Sequence, residues 1–371
     1  MKSFDIIVIG AGIAGASVAA HLAAKRRVAI LEMEERPGVH STGRSAASFE
    51  PNYGPAPMLA FTRASGNFFL EPPKGFADAP LLTPRESLFL VARGQDEAAE
   101  RLVAKASELG EITERAAREI FPVLREGHAH RVFLDPNTGD LDVDLIHRGF
   151  LRMARERGAE LFTSHDVKGL LHRSGLWQVA TAQGIFAAPV VVNAAGAWGD
   201  TVAKLGGVKP VGLQPKRRSI GLIPMDSHPD VMDWPLVTDV GETWYCKPQS
   251  GKLIVSSADA TPVDPHDASA DDMAIALGIE RMNEATTLSV QRLEHSWGGL
   301  RSFVRDSNPV VGFAPGHDGF FWLVGQGGYG IQSSPALGET AAALILGTPL
   351  PVDVLGHGLD PKNISPERLQ P

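Results

Sequence analysis

The sequence predicts a mixed α/β fold built on a parallel sheet. Three observations carry this prediction. Short apolar runs rich in valine and isoleucine recur at residues 5–9, 27–31, 190–192 and 320–324, as strands buried on both faces require. The first run leads into a glycine cluster, and the cluster into an alanine-rich stretch with no proline. The chain has 371 residues, which at roughly 150 per domain gives two domains or one large interleaved unit.

Composition narrows the function classes. Apolar residues make up 43 % and charged residues 21 %, ordinary globular usage. Cys246 is the only cysteine, so an intramolecular disulfide, a multi-cysteine zinc site and a cysteine-held iron–sulfur cluster are excluded. Cys246 itself reads as a buried structural residue. The net charge of −8 argues against a general nucleic-acid binder. The N-terminus superficially suits a secretory leader, with Lys2 before an uncharged stretch over residues 6–20. Asp5 and the interrupting glycines argue otherwise, and the run is shorter than the ~20 residues a bilayer span needs. A cytoplasmic protein without a transmembrane segment is expected, with membrane-surface association left open.

The same N-terminal residues read better as strand, turn and helix. Residues 5–9 form the strand, and Gly10-Ala11-Gly12-Ile13-Ala14-Gly15 is a complete G-x-G-x-x-G. Residues 14–25 form the helix, and residues 27–31 a second strand that ends at Glu32. Each part has a task. Gly10 permits the tight turn, Gly12 lets backbone approach a pyrophosphate, and Gly15 allows helix to pack on strand. The helix N-terminus, at Ile13 and Ala14, presents N–H groups and partial positive charge to phosphates. Glu32 lies 22 residues after Gly10, where an acid accepts hydrogen bonds from ribose hydroxyls. This is a Rossmann-type dinucleotide-binding unit, and the acid disfavours NADP.

Further along, Ser41-Thr42-Gly43-Arg44-Ser45-Ala46-Ala47 is a loop of small and hydroxyl residues that suits a large planar ligand. Arg44 in it is placed to meet a phosphate or a pocket carboxylate. The strand at 190–192 runs into Asn193-Ala194-Ala195-Gly196-Ala197-Trp198, and the strand at 320–324 into Gly325-Gln326-Gly327-Gly328-Tyr329-Gly330-Ile331-Gln332. A helix follows over residues 335–346, with proline in its first turn. Residues 143–157 have helical apolar spacing, and residues 166–171 and 176–181 read as a hairpin around Ser174-Gly175. Residues 261–273 read as a surface loop and the last dozen residues as a polar tail.

Taken in order, these motifs resemble the FAD-dependent D-amino-acid oxidase (DAO, or glycine oxidase) superfamily over essentially the whole chain. Within it, Gln214-Pro215-Lys216-Arg217-Arg218-Ser219, Gly299-Leu300-Arg301-Ser302-Phe303 and the C-terminal glycine cluster most resemble the bacterial D-arginine dehydrogenases. The resemblance implies an FAD-binding domain over residues 1–50, 140–215 and 305–371. A substrate domain of mixed, largely antiparallel sheet over 51–139 and 216–304 would interleave with it. It implies FAD contacts at Gly10, Gly12, Ile13, Ala14, Gly15, Glu32, Ser41, Thr42, Arg44, Ser45, Ala46, Ala47, Val167, Ala195, Gly196, Trp198, Gly327, Gly328, Tyr329, Gly330, Ile331 and Gln332. Relatives that attach FAD through histidine carry it near the position of Arg44, and others use a cysteine near the C-terminal glycines. Non-covalent FAD is therefore expected.

Oxidation of an amino acid requires its carboxylate anchored, its amine neutral and its Cα–H facing the flavin. Arg301 and Arg218 match the family's carboxylate-binding arginines, and a planar guanidinium fork suits two oxygens. Lys216 and Arg217 read as a solvated basic run. Tyr245 and Tyr53 match its pocket tyrosines, and Gly328 offers a backbone carbonyl to the amine. Twelve histidines show no metal-ligand spacing, and no general base is evident. The expected reaction is hydride transfer from Cα of a D-amino acid to FAD N5, giving an imino acid, then 2-oxo acid and ammonia. Oxygen, a quinone or another acceptor would take the electrons. Secondary amino acids such as sarcosine, or 2-hydroxy acids, fit the same carboxylate anchor. The pattern breaks at Ser48 and Ser87, where the D-arginine enzymes carry a histidine and the glutamate that pairs with the cationic substrate. Glu50 replaces that acid if it faces inward; facing outward, the commoner placement of a glutamate, it leaves a neutral pocket.

Overall fold

The computed structural model of the chain describes residues 1–106 and 108–370. Among these residues the central sheet has six strands, in the order Glu160–Phe162, Val28–Leu31, Ile6–Ile9, Val190–Asn193, Phe320–Val324 and Val310–Phe313. All neighbours run parallel except the last pair. Ile6–Ile9, Val28–Leu31 and Phe320–Val324 are buried at every position, which is why they lack polar alternation. The helix Ile13–Leu22 lies against this sheet, between the helices Val143–Glu156 and Ser334–Leu346. Its alanines and Ser17 keep that approach close, and a side chain at Gly338 would collide with Ser17. The helix stops at Leu22 rather than Lys25. The N–H groups of Lys25 and Arg26 turn back to the Leu22 carbonyl, and the Asp5 carboxylate accepts the Arg27 N–H. The chain is then already entering its next strand.

A nine-stranded sheet stands beside the first. Its longest pair, Gln214–Pro224 with His295–Phe303, sets Arg218 opposite Gly299 and Lys216 opposite Arg301. Arg218 and Arg301 are therefore diagonal neighbours on one face. Neighbouring strands bring Tyr245 opposite Thr238 and Thr238 opposite Phe89, all on that same face. The predicted hairpin forms from Val167–Arg173 and Leu176–Thr181, with Ser174 and Gly175 both at positive φ (53° and 76°). Gly184–Ala188 extends it into a sheet the sequence reading missed. A small third layer pairs Ser48–Phe49 and Leu82–Pro84 with Gly139–Leu141. Cys246 is fully buried in the core beneath the nine-stranded sheet, and burial pushes its thiol up. Among the described residues no helix is long and apolar enough to cross a membrane, and no cluster of metal-ligating side chains forms.

Two segments differ from expectation. Residues 261–273 are more than a surface loop. Thr261–Pro262 pairs with Lys216 and Arg217, Asp267 and Ala268 hold Arg44, and Asp271 caps the helix Asp272–Ala285. The C-terminal residues are not a free tail either. Ile364 is fully buried, its carbonyl accepts the Val311 N–H, and Arg368 pairs with Asp306 at 2.8 Å. A polar composition concealed a few apolar anchors. Ile364→Ala is expected to cost about 2–4 kcal/mol, the usual range for emptying a buried isoleucine site. Urea unfolding reads this directly, and an unchanged midpoint would return the segment to the status of a loose tail.

Candidate active site

The glycine turn is built by close contact. Gly10 sits at φ +100°, and a Cβ there would lie 2.6 Å from the Ala194 carbonyl oxygen. A Cβ on Gly15 would lie 1.9 Å from the Gly10 carbonyl oxygen. Three side chains then fix the turn. Thr42 Oγ1 accepts the Ile13 N–H (3.0 Å), and one oxygen of Glu32 accepts the Ala11 N–H (2.8 Å). His147 Nε2 donates to the Ala11 carbonyl (2.7 Å). Burial holds His147 below the usual histidine range, so it serves as a neutral donor. No local pattern marks His147, because its partner is a backbone carbonyl 136 residues away.

From this turn a cleft runs to the substrate side of the molecule. Its walls include Gly10, Gly12, Ile13, Ala14, Glu32, Ser41, Thr42, Arg44, Ser45, Ala46, Val167, Ala195, Gly196, Trp198, Gly327, Gly328, Gly330 and Ile331. The donor set suits a dinucleotide. A helix N-terminus faces one end, an acid suited to ribose lies beyond it, and small residues line the far end. Gln326 Nε2 is buried there with no hydrogen-bond partner among the described residues, as a group awaiting a ligand is.

Four residues expected on the cofactor lie elsewhere. Gly15 is behind the turn as a packing contact. Ala47, Tyr329 and Gln332 face the neighbouring cavity instead. Arg44 lines the cleft, but its guanidinium is committed to the Asp267 carboxylate and to the carbonyls of Ala268, Gly298 and Val39. It clips the 41–47 loop to the 267–268 segment and is not free to bind phosphate. Ser41 adds a second clip by donating to the Leu300 carbonyl (2.7 Å).

A second cavity of about 600 Å³ adjoins the cleft and shares Ser45, Ala46, Arg218, Arg301, Gly328 and Ile331 with it. Tyr53, Tyr245, Ser48, Glu50 and Gly328 all line it. Arg301 has no hydrogen bond or ion pair among the described residues. Among the described residues Arg218 donates only to the Asp259 carbonyl (2.8 Å). Burial and the neighbouring Arg301 charge both pull the Arg218 pKa down. The Arg218 guanidinium lies 5.9 Å from the Tyr245 ring centre, and the Tyr245 hydroxyl is buried without a partner. Arg217 points to the other face and pairs with Asp271, so it is not the solvated residue expected. Lys216 lies beside Phe303. Tyr53 packs on Tyr329 with ring centres 5.2 Å apart and donates to Glu242 (3.1 Å).

Ser87 does not reach the cavity. It is 1 % exposed, and its ladder partners Asp135 and Leu236 form the wall at that level. A hydroxymethyl group is too short to emerge between them. Glu50 is the opposite case: the commoner outward placement fails, and its side chain lines the cavity. Burial, then repulsion from Asp135 and Glu242, raise it to about 7 against the pull of Lys247 and Arg301. The sequence reading also missed Lys247. It is buried, pairs with Asp140 at 2.7 Å, and donates to the Ala47 carbonyl at 3.0 Å.

Fold and cleft together define a dinucleotide-binding protein. The comparisons with known proteins name the family. The sequence model of the FAD dependent oxidoreductase (DAO) family matches residues 5–344, so the chain belongs to that family and its cofactor is FAD. Glycine oxidase from Bacillus licheniformis is 25 % identical, over 94 % of this chain and 95 % of that protein. Glycine oxidase from Geobacillus kaustophilus superposes with a TM-score of 0.84 at 21 % identity, over 98 % of each chain. L-Proline dehydrogenase from P. horikoshii superposes with a TM-score of 0.81 at 23 % identity, over 95 % of this chain and 96 % of that one.

Gly15→Ala tests the turn, because the added methyl has no room beside the Gly10 carbonyl. The purified variant is expected to carry much less FAD per chain than the wild type, read as flavin absorbance against protein. Full flavin content would show that the contact relaxes at little cost.

Proposed function

We propose that the protein oxidises the Cα–N bond of a D-amino acid whose carboxylate is held between Arg218 and Arg301. The observation that carries this reading is the pair of guanidinium groups, side by side on one sheet face with no carboxylate between them. Like charges so placed need an anion, and the unpartnered Tyr245 hydroxyl is a third donor at the same place. A carboxylate satisfies all three.

FAD, when bound, supplies the two-electron acceptor. The chain's own groups bind and orient. Arg218 and Arg301 fix the carboxylate, and the Tyr53–Tyr329 wall covers the cavity. The Gly328 backbone, which lines both chambers, offers a carbonyl to the amine. The substrate loses its Cα hydrogen and, from nitrogen, one proton, leaving an imino acid. Water then converts this to a 2-oxo acid and ammonia. The ammonium form lacks the lone pair that assists loss of the Cα hydrogen, so the neutral amine is the reactive form. The names of the similar proteins include glycine and L-proline, which share a carboxylate one carbon from nitrogen. The D configuration follows the resemblance to D-arginine dehydrogenases. Non-covalent FAD follows from Arg44 at the histidine position and from the distant burial of Cys246.

The test is anaerobic bleaching of the bound flavin by D- and L-amino acids, sarcosine, L-proline and D-lactate. D-Amino acids are expected to bleach it, with kcat/KM rising with pH as the amine loses its proton. Bleaching by L-amino acids alone, by secondary amines alone or by lactate alone would overturn this substrate assignment. Arg301→Met is expected to lower kcat/KM about 100-fold or more, the scale for truncating one partner of a buried charge pair. Because Arg301 also lines the cofactor cleft, kcat/KM is read per bound flavin. A change under 3-fold, on the order of ordinary surface substitutions, would remove Arg301 from the carboxylate site.

A further inference from the structure

We infer that the substrate cavity selects an amino acid whose side chain ends in a cation, an ammonium or a guanidinium, and that Glu50 is the residue that receives it. This rests on the reading above, in which Arg218 and Arg301 hold the carboxylate.

The cavity has two electrical poles. Arg218 and Arg301 form one. Glu50, Asp135 and Glu242, brought from three separate segments, form the other. Two of these acids are already engaged. Asp135 accepts the Asn52 side-chain amide (2.9 Å) and the Asn137 N–H (3.0 Å), and Glu242 accepts the Tyr53 hydroxyl (3.1 Å). The Glu50 carboxylate accepts no hydrogen bond, and no lysine, arginine or histidine nitrogen lies within ion-pair distance of it among the described residues. Its backbone is nevertheless held in place, since the Glu50 N–H donates to Gln332 Oε1 (2.8 Å). Glu50 is half-buried and its carboxylate opens on the cavity from a fixed backbone, so a ligand that displaces water there must supply its partner.

The neighbours of Glu50 reinforce the point. Asp135 and Glu242 repel it. Lys247 attracts it but is committed to Asp140 at 2.7 Å, and Arg301 belongs to the other pole. A ligand cation relieves the repulsion among all three acids at once. The volume of about 600 Å³ leaves room for a long side chain between the poles. The recognition differs from that of the enzymes the sequence resembles, because Ser87 stands at their acidic position and does not reach the cavity.

The experiment compares arginine with citrulline, and lysine with norleucine, each in the enantiomer that reduces the flavin. Within each pair the α-amine and carboxylate are the same, so their titration largely cancels in the ratio of kcat/KM values. The wild-type holoenzyme is expected to favour the cationic member by about 10-fold or more, the low end for a buried charge pair. The preference should shrink as pH falls through about 7, because a protonated Glu50 offers no charge to pair. Glu50→Gln should bring the ratio to about one. Equal use of both members by the wild type, or an unchanged ratio in Glu50→Gln, overturns the inference. Should Glu50→Gln fail to fold, the wild-type ratio and its pH dependence decide alone. Bleaching by neutral amino acids only sinks this inference and leaves the reaction assignment standing. Bleaching by no amino acid sinks both.

Discussion

Two guanidinium groups on one sheet face, with no acid between them, constrain the rest of this molecule. Arg218 and Arg301 are placed by the register of two long antiparallel strands, so neither turns away without disturbing that ladder. Arg218 is also tethered by its bond to the Asp259 carbonyl. The Asp259 carboxylate is itself drawn off to the Ser219 N–H and hydroxyl. Asp259 thus meets Arg218 through its backbone carbonyl, while its carboxylate is engaged elsewhere. The hydrogen-bonding pattern leaves both guanidinium groups without a carboxylate partner among the described residues.

The same charge arithmetic shapes the cofactor side. The loop that carries Ser45 and Ala46 forms the boundary between cleft and cavity, and it is clipped at both ends. Arg44 joins it to Asp267 and Ala268, and Ser41 to Leu300, next to Arg301. Lys247 holds its far end through the Ala47 carbonyl, using a charge neutralised by Asp140. Asp140 in turn pairs with Arg85 at 2.6 Å, and Arg85 reaches the carbonyl of Trp234. Buried ion pairs of this kind add little net stability, because desolvation offsets their attraction. Their value here is geometric, since they fix one short loop against both sheets.

Much of this was legible in the sequence because it is local. The G-x-G-x-x-G turn, the wholly apolar strands and the Ser174-Gly175 hairpin each depend on residues near one another in the chain. The candidate arginines were legible through the resemblance, because they stand in strings that match the family's carboxylate-binding arginines. What escaped was long-range. His147 grips a carbonyl 136 residues away, Lys247 pairs across 107 residues, and Arg44 finds Asp267 across 223. No local pattern signals such partners. Ile364 was hidden by the polar residues around it. Glu50 was ambiguous for a different reason. Its loop has no periodicity, so nothing in the sequence set the direction of its side chain.

The direction of Glu50 follows from its neighbours. Its N–H is fixed by Gln332, which follows the glycine cluster that lines the cofactor cleft. The two-residue strand just before it, Ser48–Phe49, pairs with Gly139–Leu141, and this buries Phe49 against the helix Ala56–Leu70. With Phe49 turned to the core, alternation turns Ser48 and Glu50 the other way, toward the cavity. A single buried phenylalanine therefore decides which way the acid faces.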